Sequence, residues 1–276
     1  MSLKTFLLTG DTHGHVMDRI NKIPSCYEAA ETALIILGDA GINYWLNNTD
    51  RKNKKNINNT GFTIYCVRGN HEERPENLPN IKTRYDTEVK GYIYYEEEFP
   101  NIRYFGDGCA YEILGKSVLT IGGAYSIDKW YRLGRAGVAD IYHPNYNRPE
   151  KTGWFPDEQL TTKEMNDILA SWSGEKFDII LTHTCPLSWE PTDLFLIGID
   201  QSNVDKSMEK FLESVKEEVD WGLWCFGHYH ADRLERPFVE QFFMDIENLE
   251  TVIKRWEYPD QIDWWLEKSP NYNQGV

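Results

Sequence analysis

Short apolar runs rich in β-branched residues recur along this chain, and most stop at a glycine or a polar residue. Residues 6–9, 33–37 and 63–67 are three such runs, each continuous enough for a strand buried on both faces. A helical pattern over residues 15–23 separates the first two, so the opening predicts a layered α/β domain. From Gly91 to Ala124 the pattern changes. Runs at 92–95, 102–105, 109–114 and 117–121 are split by Gly106-Asp107-Gly108 and Gly115-Lys116, which predicts a β-meander forming a second sheet. Helical patterns return at 157–172, with Pro156 suited to a first turn, and at 204–219. Strands are predicted at 177–181 and 223–226.

Three stretches stand outside this pattern. Residues 47–59 lack apolar periodicity and read as a solvated loop. Residues 126–156, rich in Tyr, Gly, Arg and Pro, read as a long irregular insertion, the kind of segment that forms lids and binding loops. The tail from Asp245, with Trp256, Trp264 and Trp265, reads as a helical extension. The expected organisation is therefore a domain over 1–244 carrying the 126–156 insertion, with 245–276 packed onto it.

Composition narrows the possible functions. With 41% apolar and 26% charged residues in 276, the chain is globular rather than disordered. No run reaches the roughly eighteen apolar residues that span a bilayer, so no membrane partner is expected. The apolar start is too short for a signal peptide and leads directly into Asp11, and it reads as the first strand. The net charge of −15 argues against an extended nucleic-acid-binding face. Five cysteines, without a CxxC pair, read as free thiols in a reducing cytoplasm.

Candidate chemistry gathers where the runs end. Asp11-Thr12-His13, Gly38-Asp39, Gly69-Asn70-His71-Glu72, Thr182-His183 and Gly227-His228-Tyr229-His230 each follow a predicted strand. Five of the seven histidines belong to this set. In an extended segment the two-residue spacing of Asp11 with His13, and of His228 with His230, turns both side chains of a pair to one face. Asp39 can bridge two ions through its two oxygens, and Asn70 offers a neutral carbonyl oxygen. Such a cluster of oxygen and nitrogen donors suits a two-metal hydrolytic site. Without a thiolate, it suits manganese, iron or zinc in a catalytic rather than a structural role. Lys129 and Arg132, beyond Gly122-Gly123, are candidate phosphate contacts.

In their order along residues 11–230 these motifs resemble the calcineurin-like metallophosphoesterase superfamily, in members of the bacterial or phage type. The resemblance implies a four-layer α/β/β/α sandwich with two metals at the carboxyl ends of the strands. It implies one ion held by Asp11, His13, Asp39 and His230, and another by Asp39, Asn70, His183 and His228. It makes His71 a catalytic group, not a ligand: it contacts the phosphate with Asn70 and protonates the leaving oxygen. The implied reaction is attack of a metal-bridging hydroxide on a small phosphomonoester or phosphodiester, with two divalent ions, manganese first, as cofactors. Asp39-Ala40-Gly41-Ile42-Asn43 departs from the GDxVDRG motif of the protein phosphatases, so that branch and the dinucleoside polyphosphatases are set aside. Glu72 becomes the candidate to orient His71. A nuclease, or a non-catalytic scaffold of the same fold, are the alternatives.

Overall fold

The computed structural model describes residues 2–195, 201–235 and 238–259. The three opening runs form parallel strands β1 (Thr5–Thr9), β2 (Thr32–Leu37) and β3 (Thr63–Val67), paired in that order. All six residues of β2 are buried, as expected of a strand covered on both faces. Helix α1 (Val16–Ile20) follows β1, and α2 (Asn48–Asn58) follows β2.

Helix α2 corrects the expected loop at 47–59. Asn47 caps it by accepting a 2.8 Å hydrogen bond from the Thr49 amide. Its buried face is carried by Asp50, Lys54 and Ile57, spaced as helix neighbours. The face escaped an apolar-periodicity reading because two of the three are charged. Lys54 is neutralised by Glu96 at 2.5 Å, and Asp50 accepts from the Leu46 amide at 2.6 Å.

The expected meander is divided between two sheets. Strands β4 (Ile81–Asp86), β5 (Gly91–Glu96) and β6 (Ile102–Tyr104) extend the first sheet, because β6 pairs parallel with β3. The second sheet begins with the hairpin of β7 (Cys109–Ile113) and β8 (Lys116–Ile121). It continues through β9 (Lys176–Thr182) and β10 (Asp220–Phe226), parallel to β8. Strands β11 (Arg233–Glu235) and β12 (Val239–Gln241) complete that edge, and β13 (Glu247–Asn248) closes the first sheet beside β1.

The 126–156 segment is not wholly irregular. It carries α3 (Lys129–Arg135) and α4 (Pro149–Thr152) around a small cluster of Leu133, Val138 and Trp154. Helix α5 (Thr162–Trp172) begins later than expected. Thr161 and Glu164 form a capping box there, so Pro156 lies outside it. Helix α6 (Ser207–Glu218) covers the same face of the second sheet.

Three apolar clusters define four layers. Leu7, Leu34 and Ile64 face Val16, Ile20 and Ile57 of α1 and α2. Leu8, Ile35 and Val67 of the first sheet meet Val118, Ile179 and Cys225 of the second. Ile180 and Phe226 then turn outward to Met165 of α5 and Leu212 of α6. The result is an α/β/β/α sandwich. Helix α7 (Leu249–Glu257) packs through Leu249 and Val252 on the inner core. The expected extension beyond residue 259, with Trp264 and Trp265, lies outside the described residues.

Candidate metal centre

Strands β1, β2, β3, β9 and β10 all deliver a loop at their carboxyl ends, and the loops meet. Their contact depends on glycines. A Cβ on Gly69 would stand 2.0 Å from Asp39 Oδ1, and one on Gly227 2.5 Å from Asp11 Oδ1. Gly38 combines both demands on glycine: φ is +89°, and a Cβ would meet His183 Nδ1 at 2.0 Å.

The backbone itself is held in the left-handed region at four of the expected ligands: His13 (φ 45°), Asp39 (48°), His228 (70°) and His230 (53°). Such residues are uncommon and cluster where surrounding contacts over-determine the conformation. Asp11 and His13 stay together as expected, 3.8 Å apart, but the one-face expectation for His228 and His230 is corrected by these turns. His228 packs its ring edge-on to His183 at 5.0 Å, while His230 packs on His13 at 4.9 Å, so the pair divides.

All seven expected ligands converge. Asp11, Asp39, Asn70 and His183 are each 1% exposed or less, whereas the His13 and His230 side chains are 36% and 50% exposed. Asp11 Oδ1 accepts the His228 amide at 2.9 Å. Its Oδ2 is buried without an aligned hydrogen bond, 3.2 Å from His230 Nε2 and 3.8 Å from His13 Nε2. Asp39 Oδ1 accepts the His71 amide at 2.8 Å and lies 3.6 Å from His183 Nε2, and Oδ2 lies 3.8 Å from His13 Nδ1.

His183 shows what this cluster lacks. Its Nδ1 is 2.9 Å from the Leu37 carbonyl, which only accepts, so Nδ1 carries the proton. In the neutral ring Nε2 is then a bare lone pair, and it faces Asn70 Oδ1 at 2.8 Å while the Asn70 amide nitrogen donates to Ser126 Oγ at 2.8 Å. Two acceptors face each other across a gap that a cation would satisfy. The His13 and His230 Nε2 atoms likewise approach to 2.9 Å. Two compact donor groups result, Asp11–His13–His230 and Asp11–Asp39–His183, with donor atoms within 4.8 Å in each. Nitrogen and carboxylate donors with an orphaned buried oxygen fit divalent ions.

Electrostatics agree with a site built around positive charge. Burial pushes the Asp39 carboxyl up, but attraction to the surrounding rings of His71, His183 and His13 whenever these are protonated outweighs it and holds it far below the usual range. Asp11 is likewise held down by His230 and His183 against its burial. Burial pushes His228 down to about 3, keeping its ring neutral and able to ligate.

His71 lies at the rim, its Nε2 3.3 Å from the Asn70 amide and 4.0 Å from Asp39 Oδ2. Burial pushes its imidazole below the ordinary value, against the pull of Asp39. Glu72 does not orient it: the Glu72 carboxylate accepts the Gly69 amide at 2.8 Å, and burial pushes it up to about 7. His71 Nδ1 is buried without a partner. His15 stays outside the cluster, exposed and 3.1 Å from Asp18.

The two cations expected in the insertion separate. Arg132 lines a cleft with His13 and His71. Lys129 does not line it: its ammonium sits 4.2 Å from the centroid of Trp154, with Trp130 and Tyr146 at 5.3 and 5.6 Å. Its long apolar stem and cation suit the ring box better than the open cleft. Sequence reasoning passed over Arg68, which ties the end of β3 to Asp107 ahead of β7 at 2.8 Å, to the Gly122 carbonyl just past β8 at 3.3 Å and to the Glu158 carbonyl at 2.8 Å. Ser126 was also missed as the group that orients Asn70. It lies within the Gly122–Arg132 stretch but has no signature of its own.

A family-wide sequence profile described as calcineurin-like phosphoesterase matches residues 4–232. The chain belongs to that family. Among solved structures it is similar to a phosphopantetheinyl hydrolase from Mycobacterium tuberculosis, at 11% identity and a TM-score of 0.40, over 87% of this chain and 90% of that one. No curated protein matches the sequence. Among the described residues no helix is long and apolar enough to cross a membrane.

Proposed function

We propose that the protein is a binuclear, metal-dependent phosphoesterase acting on a small phosphomonoester or phosphodiester. One observation carries the reading: buried Asp39 divides its two oxygens, Oδ1 3.6 Å from His183 and Oδ2 3.8 Å from His13. In this reading one ion is held by Asp11, His13, Asp39 and His230, and the other by Asp39, Asn70, His183 and His228. The mixed set of four imidazoles with carboxylate and carbonyl oxygens suits manganese, iron or zinc, and manganese is the ion proposed. Bound there, the two ions would supply the charge that activates water and neutralises phosphate oxygens.

The chain's own residues do the rest. Ser126 fixes the Asn70 amide so that its carbonyl oxygen faces His183. The Asp39 carboxylate, hydrogen-bonded to the His71 amide, sets where His71 stands. His71 protonates the departing oxygen, because an arriving phosphate brings the negative charge that raises an imidazole pKa otherwise lowered by burial. Free cysteines, three of them buried, suit a reducing compartment, and we place the protein in the cytoplasm.

The test is hydrolysis of nitrophenyl phosphate and bis(nitrophenyl) phosphate by protein stripped with chelator and reloaded with Mn²⁺. Turnover should return with metal, and Asp39→Asn should lose metal and turnover together. His71→Ala should keep its metal and lose most activity on alkoxide leaving groups, since nitrophenolate departs unprotonated. Absence of metal-dependent turnover on every ester tried would sink the proposal.

A further inference from the structure

The cleft at the metal centre does not end at His71. A space of about 230 Å³ lined by His13, Gly41 and His71 shares Tyr44, Trp45 and Arg132 with a larger one of about 480 Å³. The two therefore adjoin across these three side chains, with Arg132 in the wall of both. Arg132 is held in place through Nε to Asp128 at 2.7 Å and through Nη1 to the Tyr44 hydroxyl at 2.6 Å and the Gly153 carbonyl at 3.0 Å. It forms a fixed neck between the two spaces.

The outer space has an unusual lining for a chain of net charge −15. Arg135 and Lys151 both line it, and among the described residues neither has a carboxylate within ion-pair distance. The acids nearby are already matched, Asp128 by Arg132 and Glu150 by Arg148 at 2.6 Å. Two aromatic rings complete the wall. Trp45 is 54% exposed and Tyr131 64% exposed, although rings of this size are ordinarily turned inward. Trp45 is held edge-on against Tyr44, with centroids 4.9 Å apart at 88°. An open, pre-set ring beside two unmatched cations recognises a flat π-system that carries an anion.

We propose that this outer cleft is a second subsite, which takes the remote part of the substrate: a heteroaromatic ring bearing an anionic group, as in a nucleotide. Trp45 stacks on the ring, Arg135 and Lys151 take the anion, and the neck at Arg132 leads the scissile ester to the cluster. The proposal rests on the phosphoesterase reading for what happens at the inner end. The outer cleft itself binds independently of that chemistry.

The test is calorimetric titration of the full chain with adenosine 5′-monophosphate in chelator, so that nothing is turned over and the result stands apart from any activity. Adenosine and inorganic phosphate are titrated as the separate halves of the probe. All three residues are exposed, so their variants keep the fold, and circular dichroism checks this. The nucleotide should bind more tightly than either half. Trp45→Ala should weaken it by roughly fivefold or more, the lower end of a base-stacking contact. Arg135→Ala with Lys151→Ala should weaken it by about tenfold, and Arg135→Lys should restore most of the loss from Arg135→Ala. A nucleotide that binds no better than phosphate, or variants that keep the wild-type Kd, would overturn the proposal.

Discussion

Gly69→Ala isolates the loop contact on which the metal centre depends. Gly69 has an ordinary φ, so a methyl group there brings no backbone penalty of its own. Its Cβ would sit 2.0 Å from Asp39 Oδ1 and 2.1 Å from the Asp39 amide nitrogen. Ordinary contact begins near 3.4 Å, so the two loops must part by about 1.4 Å. Overpacking of this kind costs about 1–3 kcal/mol. The shift also strains the bond from the His71 amide to Asp39, worth about 1.5–3 kcal/mol for a charged acceptor. Unfolding of the metal-free variant in urea should therefore show a loss of about 2.5–6 kcal/mol. A displacement near 1 Å costs on the order of 100-fold in rate, so kcat/KM should fall at least that far and Mn²⁺ affinity with it. Gly115→Ala is the control: φ is +75° but nothing lies within 4 Å. It should lose about 1–2 kcal/mol from backbone strain and keep its metal affinity. A Gly69→Ala protein with wild-type stability and Mn²⁺ affinity would refute the idea that loop-to-loop contact shapes the centre.

Three further outcomes follow from the same geometry. Burial pushes Glu158 up to about 7 from an ordinary 4.5, so its contribution is fully present below pH 4.5 and is lost as pH rises through 7. Glu158→Gln should therefore gain on the wild type by an amount on the order of 3 kcal/mol between those limits, read from urea midpoints of the metal-free proteins; an unchanged difference at pH 5 and pH 8 would contradict this. Lys129→Ala should lower stability by about 1–2 kcal/mol through loss of the ring box while kcat/KM on nitrophenyl phosphate stays within about twofold; a kinetic defect without a stability defect would return Lys129 to the substrate. Mn²⁺ at one hundred times its Kd should stabilise the stripped protein by about 2.7 kcal/mol, seen as a concentration-dependent rise in Tm, and Asp39→Asn should abolish that rise.

What the sequence disclosed and what it hid divide along physical lines. The strands were legible because both faces of β2 and β3 are buried, so every position carries the signal. The clustering of the candidate donors was legible because each follows a strand, and strand ends in a parallel sheet share one edge. Which sheet a strand joins was not legible. Residues 102–104 read the same whether they pair with β3 or with the hairpin, and the pairing of Ile64 with Ile102 is a long-range choice. Helix α2 was hidden because its buried face uses Lys54 and Asp50, whose partners Glu96 and Leu46 cannot be inferred from spacing.

The same limit applies within the site, and it explains why the second coordination layer was the least readable. A metal ligand announces itself by residue type. A positioning group is defined only by what it touches. Ser126 matters through one hydrogen bond to Asn70, and Leu37 through a carbonyl that fixes the tautomer of His183. Arg68 and Arg132 look alike in sequence, yet one is a buried tie between sheets and the other the neck of a cleft. Lys129 carries the reverse lesson. Its charge suggested phosphate, but three aromatic rings from its own segment surround it first. Composition of the 126–156 segment therefore carried two messages that only the fold separates. One set of aromatic and basic residues closes on itself around Lys129, and the other, Tyr131, Arg132 and Arg135, lines the outer cleft, with Arg132 also reaching the cleft beside His13 and His71. On the subsite proposal above, substrate choice resides in the second set, on a helical segment beside a donor cluster that the rest of the fold holds in place.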